Sequence, residues 1–224
     1  MIGRVVKLER PVADDYALML KWLAPDGAVA PLTGDMGDEP TVEDLQQMNR
    51  SGNQRFLMIK LLSDGTPVGT MNYRRDAPGA YSIGAAVGDP ALWHAGYAGD
   101  AFIVLLDLLF HSKNARKVSG MVMSFNKHSM RMMVNGGFVC EGILREHCYL
   151  DGKWHDAVMW SMLRSEFYER AERHAAMSDR LRLQDLVPAE DKKQARQALA
   201  GYLRSARLTT SFDQFLQAED DKDE

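Results

Sequence analysis

The sequence predicts an α/β fold that continues into a helical C-terminal extension. Three strand candidates follow one another between residues 55 and 88, and short turns that contain glycine join them. Segments with apolar residues at every third or fourth position surround these strands, as expected for helices that cover a sheet. After Leu163 the chain becomes polar and keeps a helical period without a strand pattern. These three observations together favour a sheet with flanking helices and a separate helical tail.

The composition limits the class of protein. The chain has 224 residues, of which 46% are hydrophobic and 26% charged, as is usual for a soluble protein with one domain and an appendage. Its formal net charge of -4 disfavours a general nucleic-acid binder, which usually carries a basic surface. The first residues lack the apolar core of a signal peptide, and no run of about 18 apolar residues follows. We therefore expect a cytoplasmic protein that does not span a membrane.

Cys140 and Cys148 are the only two cysteines of the chain. They form no CxxC pair, and no cysteine–histidine cluster has the spacing of a metal site. This usage favours a reducing compartment and argues against a structural zinc. The sequence therefore predicts no metal cofactor.

The first half of the chain contains four predicted elements before the series of strands. Residues 4–11 predict a strand that ends at a proline, and residues 12–23 predict a helix with acidic residues in its first turn. Residues 24–40, which are rich in glycine, proline and aspartate, predict a loop. Thr41 is placed to cap a short helix. An antiparallel meander follows, with strands at 55–63, 67–75 and 81–88.

The second half alternates helices and strands before the tail. Its predicted elements are a helix at 98–112, a strand at 117–125, a helix at 127–135, and two strands within 138–163. In the tail, residues 188–206 predict a helix whose apolar face contains Ala195, Leu199, Tyr202 and Leu203. Ser211 and Gln214 have the spacing of a capping box for one more helix. The apolar face of the tail must be buried against another surface.

Two glycines stand directly before the first helix of the second half. In 93-WHAGYAGDAF-102, Gly96 and Gly99 bracket Tyr97 and Ala98. A loop that exposes consecutive backbone N–H groups at a helix N-terminus binds anions, because the unpaired donors and the helix dipole both favour negative charge. No Lys-Ser/Thr pair and no G-x-G-x-x-G is present, so an anion bound here would not be a metal-bound triphosphate. From these residues alone, an ordinary connector and an anion site both stay open.

The order of elements and five sequence segments together resemble the GCN5-related N-acetyltransferase (GNAT) superfamily. The segments are 4-RVVKLERPVADDYALMLKWL-23, 66-TPVGTMNYR-74, 93-WHAGYAGDA-101, 126-NKHSMRMMVNGGF-138 and 141-EGILREHCYLDGKWHDAVMWSML-163. Within the superfamily, the chain is most similar to the Rim-type branch, which includes the N-terminal acetyltransferases of ribosomal proteins. The resemblance covers residues 1–167 and implies a mixed central sheet with two splayed strands. Residues 168–224 have no counterpart and are expected to form a helical C-terminal extension.

The resemblance also implies acetyl-CoA as co-substrate, bound between the central strands 81–88 and 117–125. Val87 and Gly88 would meet the pantetheine amides and the thioester carbonyl. The pyrophosphate would lie on a segment that we call the glycine loop, made of His94, Ala95, Gly96, Tyr97, Ala98 and Gly99. No metal is implied.

Asn126 and Ser129 stand at the start of the helix predicted at 127–135. Asn126 is a good N-cap on its own account, and by resemblance it also hydrogen-bonds the pantetheine arm. Ser129 would lie near the thioester sulfur and donate a proton to the leaving thiolate. Many superfamily members use a tyrosine one turn later, where this chain has Met133. The Rim-type branch typically lacks that tyrosine too.

Further positions depart from the family's pattern, and one of them is Ala95, which stands where many relatives carry a lysine. Trp93 replaces a polar residue before the glycine loop, and Cys148 takes the place of a Rim-type glutamate before Tyr-Leu. For the general base we rank Glu146 first, because strand alternation puts it on the same face as Cys148. His147 and His155 lie on the same hairpin. A covalent route through the Cys148 thiolate is an alternative.

The resulting hypothesis is an N-acetyltransferase in which a primary amine attacks the thioester directly in a ternary complex. The acceptor is open between a small-molecule amine (an amino sugar, an antibiotic or a metabolite) and a protein N-terminus. Its specificity would come from the first two helices, the 24–40 loop and the 146–156 hairpin. The alternative is a non-catalytic acyl-CoA-binding or interaction module that engages a partner through its helical tail. The tail could also cover the acceptor cleft or pack in a homodimer.

Overall fold

The computed structural model describes residues 1–25, 27–33, 40–52, 54–177 and 187–205, without the side chains of 174–177 and 205. The chain divides into two compact units, Met1–Leu181 and Arg182–Glu224. The first unit contains a seven-stranded sheet with flanking helices, and the second contains one described helix. The predicted α/β class is therefore confirmed.

Seven strands form one mixed sheet. Their bounds are β1 Val6–Glu9, β2 Gln54–Leu61, β3 Pro67–Ala77, β4 Ala80–Val87, β5 Lys117–Met123, β6 Val139–Leu150 and β7 Lys153–Leu163. They lie in the order β1-β2-β3-β4-β5-β7-β6, and every neighbouring pair is antiparallel except β4 with β5. The predicted meander and the predicted closing hairpin are both confirmed.

The two parallel strands separate soon after they meet. Residues 80–82 of β4 pair with residues 117–119 of β5, and the pairing then stops. Beyond that point β4 continues to Val87 beside β3 alone, and β5 continues to Met123 beside β7 alone. The carboxyl ends of β4 and β5 therefore enclose a V-shaped gap, which we call the cleft. This splay agrees with the family resemblance.

Helices precede and follow the strands of this sheet. Their bounds are α1 Ala13–Leu23, α2 Ala30–Thr33, α3 Val42–Ser51, α4 Tyr97–Asp107, α5 Lys127–Gly136, α6 Arg164–Met177 and α7 Ala189–Ser205. The cap predicted at Thr41 is confirmed, because its hydroxyl accepts the N–H of Asp44 at 3.2 Å. The Asp44 carboxylate in turn accepts the N–H of Thr41 at 2.8 Å. These reciprocal bonds fix the start of α3.

The helices define two faces of the sheet. The helices α1 and α3 pack on one face through a buried cluster of Tyr16, Met19, Leu45, Phe56 and Met58. Ile59, next to Met58 in β2, points to the opposite face and is fully buried. The helix α4 covers that side, where its Leu105 is also fully buried and where it lies against β1, β3 and β4. We call these sides the α1 face and the α4 face.

The prediction that residues 24–40 form only a loop is wrong. The short helix α2 lies within this segment. Val29 and Ala30 are buried there, and Pro31 fits the first turn of a helix, which needs no N–H from it. Burial of two apolar side chains therefore outweighs a composition that is typical of loops.

Two helices extend differently from the prediction. The helix predicted at 98–112 consists of α4 and one π turn, Leu108–Ser112. The helix α6 begins at Arg164 directly after β7 and runs across residue 168, where the extension is predicted to begin. Among the helices described, none combines the length and the apolarity that a membrane crossing requires.

The apolar face predicted for α7 is wrong in part. Ala200 and Leu203 are its buried residues, whereas Leu199 and Tyr202 are exposed. Leu203 lies beside Ala200 on one stripe of the helix and beside Leu199 and Tyr202 on a neighbouring stripe. Hydrophobicity alone does not decide which of these two stripes is covered. The capping box predicted at Ser211 and Gln214 lies outside the described residues.

One carboxylate joins α4 to β1. Asp100, in the first turn of α4, accepts the backbone N–H groups of Arg4 at 3.0 Å, Val5 at 2.8 Å and Val6 at 3.0 Å. Because β1 is an edge strand, these bonds hold its start against the N-terminal turn of α4. They thereby fix the position of the glycine loop that precedes this turn.

We expect Asp100→Ala to lower the free energy of unfolding by about 1–3 kcal/mol, because three backbone donors lose a charged acceptor. Asp100→Asn keeps one carbonyl acceptor and should lose less. Urea unfolding followed by circular dichroism measures both variants. Equal stability of Asp100→Ala and the unchanged chain would contradict the role assigned to this carboxylate.

Candidate functional site

Two helix N-termini meet at the open end of the sheet. The helix α4 follows β4 and α5 follows β5, so both helices begin where the parallel strands diverge. The ring centroids of His94, before α4, and His128, in the first turn of α5, are 5.0 Å apart. The ring of Trp93 lies 5.4 Å from that of His128. Side chains from both arms of the cleft are therefore in contact at its mouth.

The glycine loop enters α4 through a left-handed residue. Gly96 is the N-cap of α4 and has a φ of 80°, which residues with a Cβ rarely adopt. The first hydrogen bond of the helix runs from the N–H of Asp100 to the carbonyl of Gly96 at 3.1 Å. The N–H groups of residues 97–99 precede this bond and have no acceptor within the helix.

The space around the glycine loop is open. A Cβ added at Gly96 or at Gly99 would meet no other part of the described chain within 4 Å. The backbone conformation of Gly96 explains why a glycine stands there. Gly99 has an ordinary helical backbone, and no neighbouring residue requires a glycine at that position. The absence of a side chain at Gly99 leaves the approach to the free N–H groups unobstructed.

Trp93 anchors the glycine loop to the end of β4. Its indole Nε1 donates a hydrogen bond to the carbonyl oxygen of Val87 at 2.9 Å. The sequence predicts for Trp93 only the loss of a polar side chain, whereas the structure gives it a positioning role. Neither this bond nor the contact with His128 follows a sequence pattern, because the partners belong to different elements.

The side chains around His128 are mostly cationic. Desolvation is the main cause that lowers the pKa of the His128 imidazole, and the charges of His94, Lys127 and Arg131 lower it further. A lowered imidazole pKa means that the surroundings disfavour an added positive charge. The start of α5 therefore already carries positive charge next to the glycine loop.

Val87 and Gly88 lie at the end of β4, and their backbone groups point in opposite directions. The N–H of Gly88 donates to the carbonyl of Val68 in β3 at 3.0 Å. Hydrogen-bonding direction alternates along an antiparallel pair, so the backbone of Val87 points away from β3 and into the cleft. Its carbonyl bond with Trp93 agrees with this direction. Of the two residues, Val87 is the one with an N–H that a ligand in the cleft could reach.

Asn126 caps α5 and also holds α2. Its Oδ1 accepts the N–H of Ser129 at 3.1 Å, which confirms the predicted N-cap. Its Nδ2 donates to the carbonyl of Leu32 at 3.2 Å. The hydroxyl of Ser129 is partly exposed and has no hydrogen-bond partner within the part of the chain that the structure describes. Met133 is buried near Gly120 of β5, so it fills the core.

The β6–β7 hairpin contains a bulge that breaks strand alternation. The register shifts between Leu144 and Cys148, and Glu146 takes a φ of 49° within this shift. The Glu146 side chain is exposed, whereas Cys148 is buried. The N–H of Glu146 donates to the Asp156 carboxylate at 2.9 Å. The shared strand face that led us to rank Glu146 first is therefore wrong.

Strand pairing determines which side chains of β5 and β7 lie on the α1 face. Ser82 of β4 lies on the same face as Met58 of β2. The register from β2 through β3 to β4 is regular between them, so strand alternation carries the face across. Ser82 pairs with Ser119, which puts Met123 on the same face. Met123 pairs with Ala157 of β7. The alternate residues of β7 around Ala157 therefore also face α1.

His155 lies on this face beside the end of β5. It pairs with Cys148 in register, and its ring is 5.0 Å from that of Phe125. Phe125 packs against a buried cluster that includes Cys148 and directly precedes Asn126. The structure thus brings an imidazole to the side of the cleft opposite α4. His147, its neighbour across the hairpin, is exposed.

Both cysteines are free thiols, but their surroundings differ. Cys140 is exposed and Cys148 is buried. Desolvation raises the pKa of the Cys148 thiol. A thiol with a raised pKa stays protonated at neutral pH and is a poor nucleophile, which argues against the covalent route. Within the described ranges, no three side chains of His, Cys, Asp or Glu come together as a metal site would require.

Residues 6–139 of the chain match the family model described as "Acetyltransferase (GNAT) domain". This range contains the diverging strands, the glycine loop and all of α5. The chain is also similar to the SPbeta prophage-derived uncharacterized N-acetyltransferase YokL of Bacillus subtilis, with 33% identity over 72 residues. That alignment covers 32% of this chain and 41% of YokL, so the chain spans less than half of the length of this relative.

Solved structures share the fold, and two of them are named for their acceptors. A chimera of the spermidine N-acetyltransferase SpeG from Vibrio cholerae and hSSAT has a TM-score of 0.63 at 16% identity, covering 75% of this chain and 100% of the chimera. The ribosomal-protein-S5-alanine acetyltransferase from Vibrio fischeri has a TM-score of 0.60 at 16% identity, covering 75% of this chain and 97% of that enzyme. The predicted superfamily is confirmed, whereas the Rim-type branch stays a prediction.

We expect iodoacetamide to alkylate Cys140 roughly tenfold faster than Cys148 near neutral pH, because Cys148 is both buried and protonated. Since the pKa of Cys148 is raised, its rate should increase only at a pH higher than an exposed thiol needs. Mass spectrometry of digested protein measures the two rates separately. A Cys148 that reacts as fast as Cys140 would revive the covalent route.

Proposed function

The chain belongs to the acetyltransferase (GNAT) family, and from this premise we propose that it transfers an acetyl group from acetyl-CoA to a primary amine. Transfer takes place by direct attack in a ternary complex. The observation that supports this most directly is the row of N–H groups at residues 97–99, which have no acceptor within α4 and stand at the mouth of the cleft. Every α-helix begins with such N–H groups, so what supports an anion site is their place at the mouth of the cleft, beside His94 and His128.

The diphosphate of the coenzyme lies on the glycine loop in this proposal. The N–H groups of residues 97–99 and the dipole of α4 favour its negative charge. His94 and His128 stand at the same place, and Lys127 and Arg131 add positive charge. A bound diphosphate supplies the negative charge that raises the lowered pKa of His128 back toward its ordinary range.

The pantetheine arm follows the cleft. β4 has no strand partner on this side beyond residue 82, and the N–H of Val87 points there. An extended chain with its own amide groups can pair with such an edge as an added strand does. The thioester then lies beside the carboxyl end of β4, where a backbone N–H can polarise its carbonyl.

The reaction needs only the coenzyme, the amine and two proton transfers. The amine nitrogen attacks the carbonyl carbon of the thioester, the carbon–sulfur bond breaks, and the products are the N-acetylated amine and CoA. The leaving sulfur takes a proton, for which Ser129 at the start of α5 is the proposed donor. Proximity and orientation of the two substrates supply much of the rate.

We assign the acceptance of the amine proton to His155. Imidazole is the side chain that most readily takes a proton near neutral pH. His155 lies on the α1 face next to Phe125, whereas Glu146 is exposed at the bulge of β6. Glu146 remains the competing assignment, because it is the one that the sequence favours.

The acceptor approaches on the α1 face, because α4 and the phosphates of the coenzyme occupy the opposite side. The two structural neighbours are named for different acceptors, spermidine for one and the alanine of ribosomal protein S5 for the other. An α-amino group has a pKa of roughly 7.7–8.0 and loses its proton far more easily than an alkylamine, with a pKa of about 10.4. Small-molecule amines and protein N-termini are both within the proposal.

A non-catalytic acyl-CoA-binding module is the second candidate and has less support. Membership of the family favours group transfer, and nothing in α7 identifies a partner. A homodimer likewise stays a prediction. We also propose a cytoplasmic location, which two free cysteines support.

Gly99→Glu tests the anion site with little expected effect on the fold. We expect the affinity for acetyl-CoA to fall roughly tenfold or more, because the new carboxylate repels the diphosphate and competes for the same N–H groups. Stability should not fall, since an acidic residue in the first turn favours a helix. Isothermal titration calorimetry measures the affinity.

Gly201→Glu is the matched control for this variant. Gly201 is also a helical glycine, in α7, with equally open surroundings, and the substitution changes the net charge by the same amount. Its acetyl-CoA affinity should equal that of the unchanged chain. If Gly99→Glu and Gly201→Glu bind acetyl-CoA alike, the glycine loop is only a connector.

His155→Gln and Glu146→Gln distinguish the two candidate bases. We expect His155→Gln to lower kcat by about 10²-fold near pH 7, because the amine loses its proton acceptor. Glu146→Gln should change kcat by less than about threefold, since that side chain is exposed to solvent. Release of free thiol from acetyl-CoA with a panel of primary amines measures kcat. The reverse pattern would return the role to Glu146.

A further inference from the structure

We propose that Trp22 is a specificity-determining residue, whose indole forms the surface against which the carbon skeleton of the amine acceptor lies. This inference rests on the proposed function and adds a side chain to it that neither the family pattern nor the sequence singles out. The acceptor that Trp22 would favour is a primary amine that carries an apolar or aromatic group next to the nitrogen.

The position of Trp22 is set by its contact with the backbone of Gly88. Trp22 is the last residue but one of α1 and is partly buried. A Cβ added at Gly88 would overlap the indole ring, at atoms Cε2, Nε1 and Cδ1. The ring therefore lies directly on the main chain of the residue that follows β4. A glycine at position 88 is what permits this contact.

The contact brings the indole next to the reacting centre on the side from which the amine arrives. Gly88 directly follows Val87, whose N–H points into the cleft where the thioester lies in the proposed complex. Trp22 packs against the cluster of α1 and α3, so it belongs to the α1 face. Trp93, by contrast, contacts the same strand end through its bond to Val87. Two indoles thus stand at the end of β4, and Trp22 is the one on the acceptor side.

The helices α1 and α2 contact opposite sides of the cleft. Leu32 of α2 accepts a hydrogen bond from Asn126 at the start of α5. Trp22 of α1 thus contacts the end of β4, and Leu32 of α2 contacts Asn126, which follows β5. On the α1 face, the indole of Trp22 thus lies at the β4 side of the cleft, and Phe125 and His155 lie at its β5 side.

The chemistry of the indole suggests what it selects. Its face provides a large rigid apolar surface, which favours apolar and aromatic groups. The same face attracts an ammonium ion through its quadrupole, so it also accommodates an amine before deprotonation. A strongly hydrated polar group such as an amino sugar gains less from this surface. The amine's carbon skeleton should therefore determine how much Trp22 contributes.

The competing explanation is that Trp22 only packs the core. Leu20 provides a matched control, because it lies on the same helix, is partly buried and packs against the same cluster. Leu20→Ala should lower the melting temperature without altering recognition of the amine. A change in the KM for the amine that is specific to Trp22 cannot then be attributed to lost stability.

The test measures steady-state kinetics of the full chain with phenethylamine, spermidine, glucosamine and an alanine-initiated peptide as acceptors. With Trp22→Ala we expect the KM for the best apolar acceptor to rise roughly tenfold, and the KM for acetyl-CoA to change by less than about twofold. Trp22→Phe should recover most of the loss, and Leu20→Ala should leave both KM values unchanged. Glucosamine, if accepted, should be affected least.

Different failures have different meanings. If the unchanged chain transfers acetyl to none of the amines, the proposed function fails. If it transfers acetyl and Trp22→Ala keeps the same KM values and the same order of preference, the role of Trp22 alone is overturned.

A second measurement checks the contact itself. Gly88→Ala should lower the melting temperature, because its methyl group overlaps the indole. In the Trp22→Ala background the same substitution should lower it much less. An equal loss in both backgrounds would show that Trp22 does not lie on Gly88, and the inference would lose its structural basis.

Discussion

The early separation of β4 from β5 is the constraint on which the rest of the site depends. Pairing ends after residues 82 and 119, and each strand then keeps a partner only on its outer side. A parallel pair that continued to its end would use the backbone groups of Val87 within the sheet. Leaving these groups at an open edge costs free energy. The bond from Trp93 to the carbonyl of Val87 offsets part of that cost and ties the glycine loop to the strand.

The first turn of α4 carries polar groups of both signs, and they are directed to different parts of the molecule. The N–H groups of residues 97–99 face the mouth of the cleft, whereas the carboxylate of Asp100 accepts three N–H groups from the start of β1. A negatively charged side chain inside the turn is compatible with anion binding because it is already occupied by its own donors. Asn126 acts similarly at α5, since one side chain caps the helix and holds α2.

Local patterns in the sequence predicted the elements whose causes are local. The meander, the cap at Thr41 and the cap at Asn126 depend on residues within a few positions of one another, and all three are confirmed. The splay of the parallel strands followed only from the family resemblance. The helix α2, the bulge at Glu146 and the position of Trp22 on Gly88 depend on burial or on partners far along the chain. No periodicity in one segment contains that information.

The bulge in β6 separates the choice of side chains at one point of the hairpin from the pairing of the residues on either side. In a regular strand the two would be coupled. A bulge absorbs extra residues locally, here two, so the ladder on either side keeps its pairing. In this hairpin, Leu144 pairs with Ala157 before the bulge and Cys148 pairs with His155 after it. A single insertion or deletion between them would change which side chains of β6 stand at the bulge and leave the pairs on either side in register. The side chains at this point can therefore change without a shift of the surrounding ladder, and alignment by residue count across the bulge does not identify equivalent side chains.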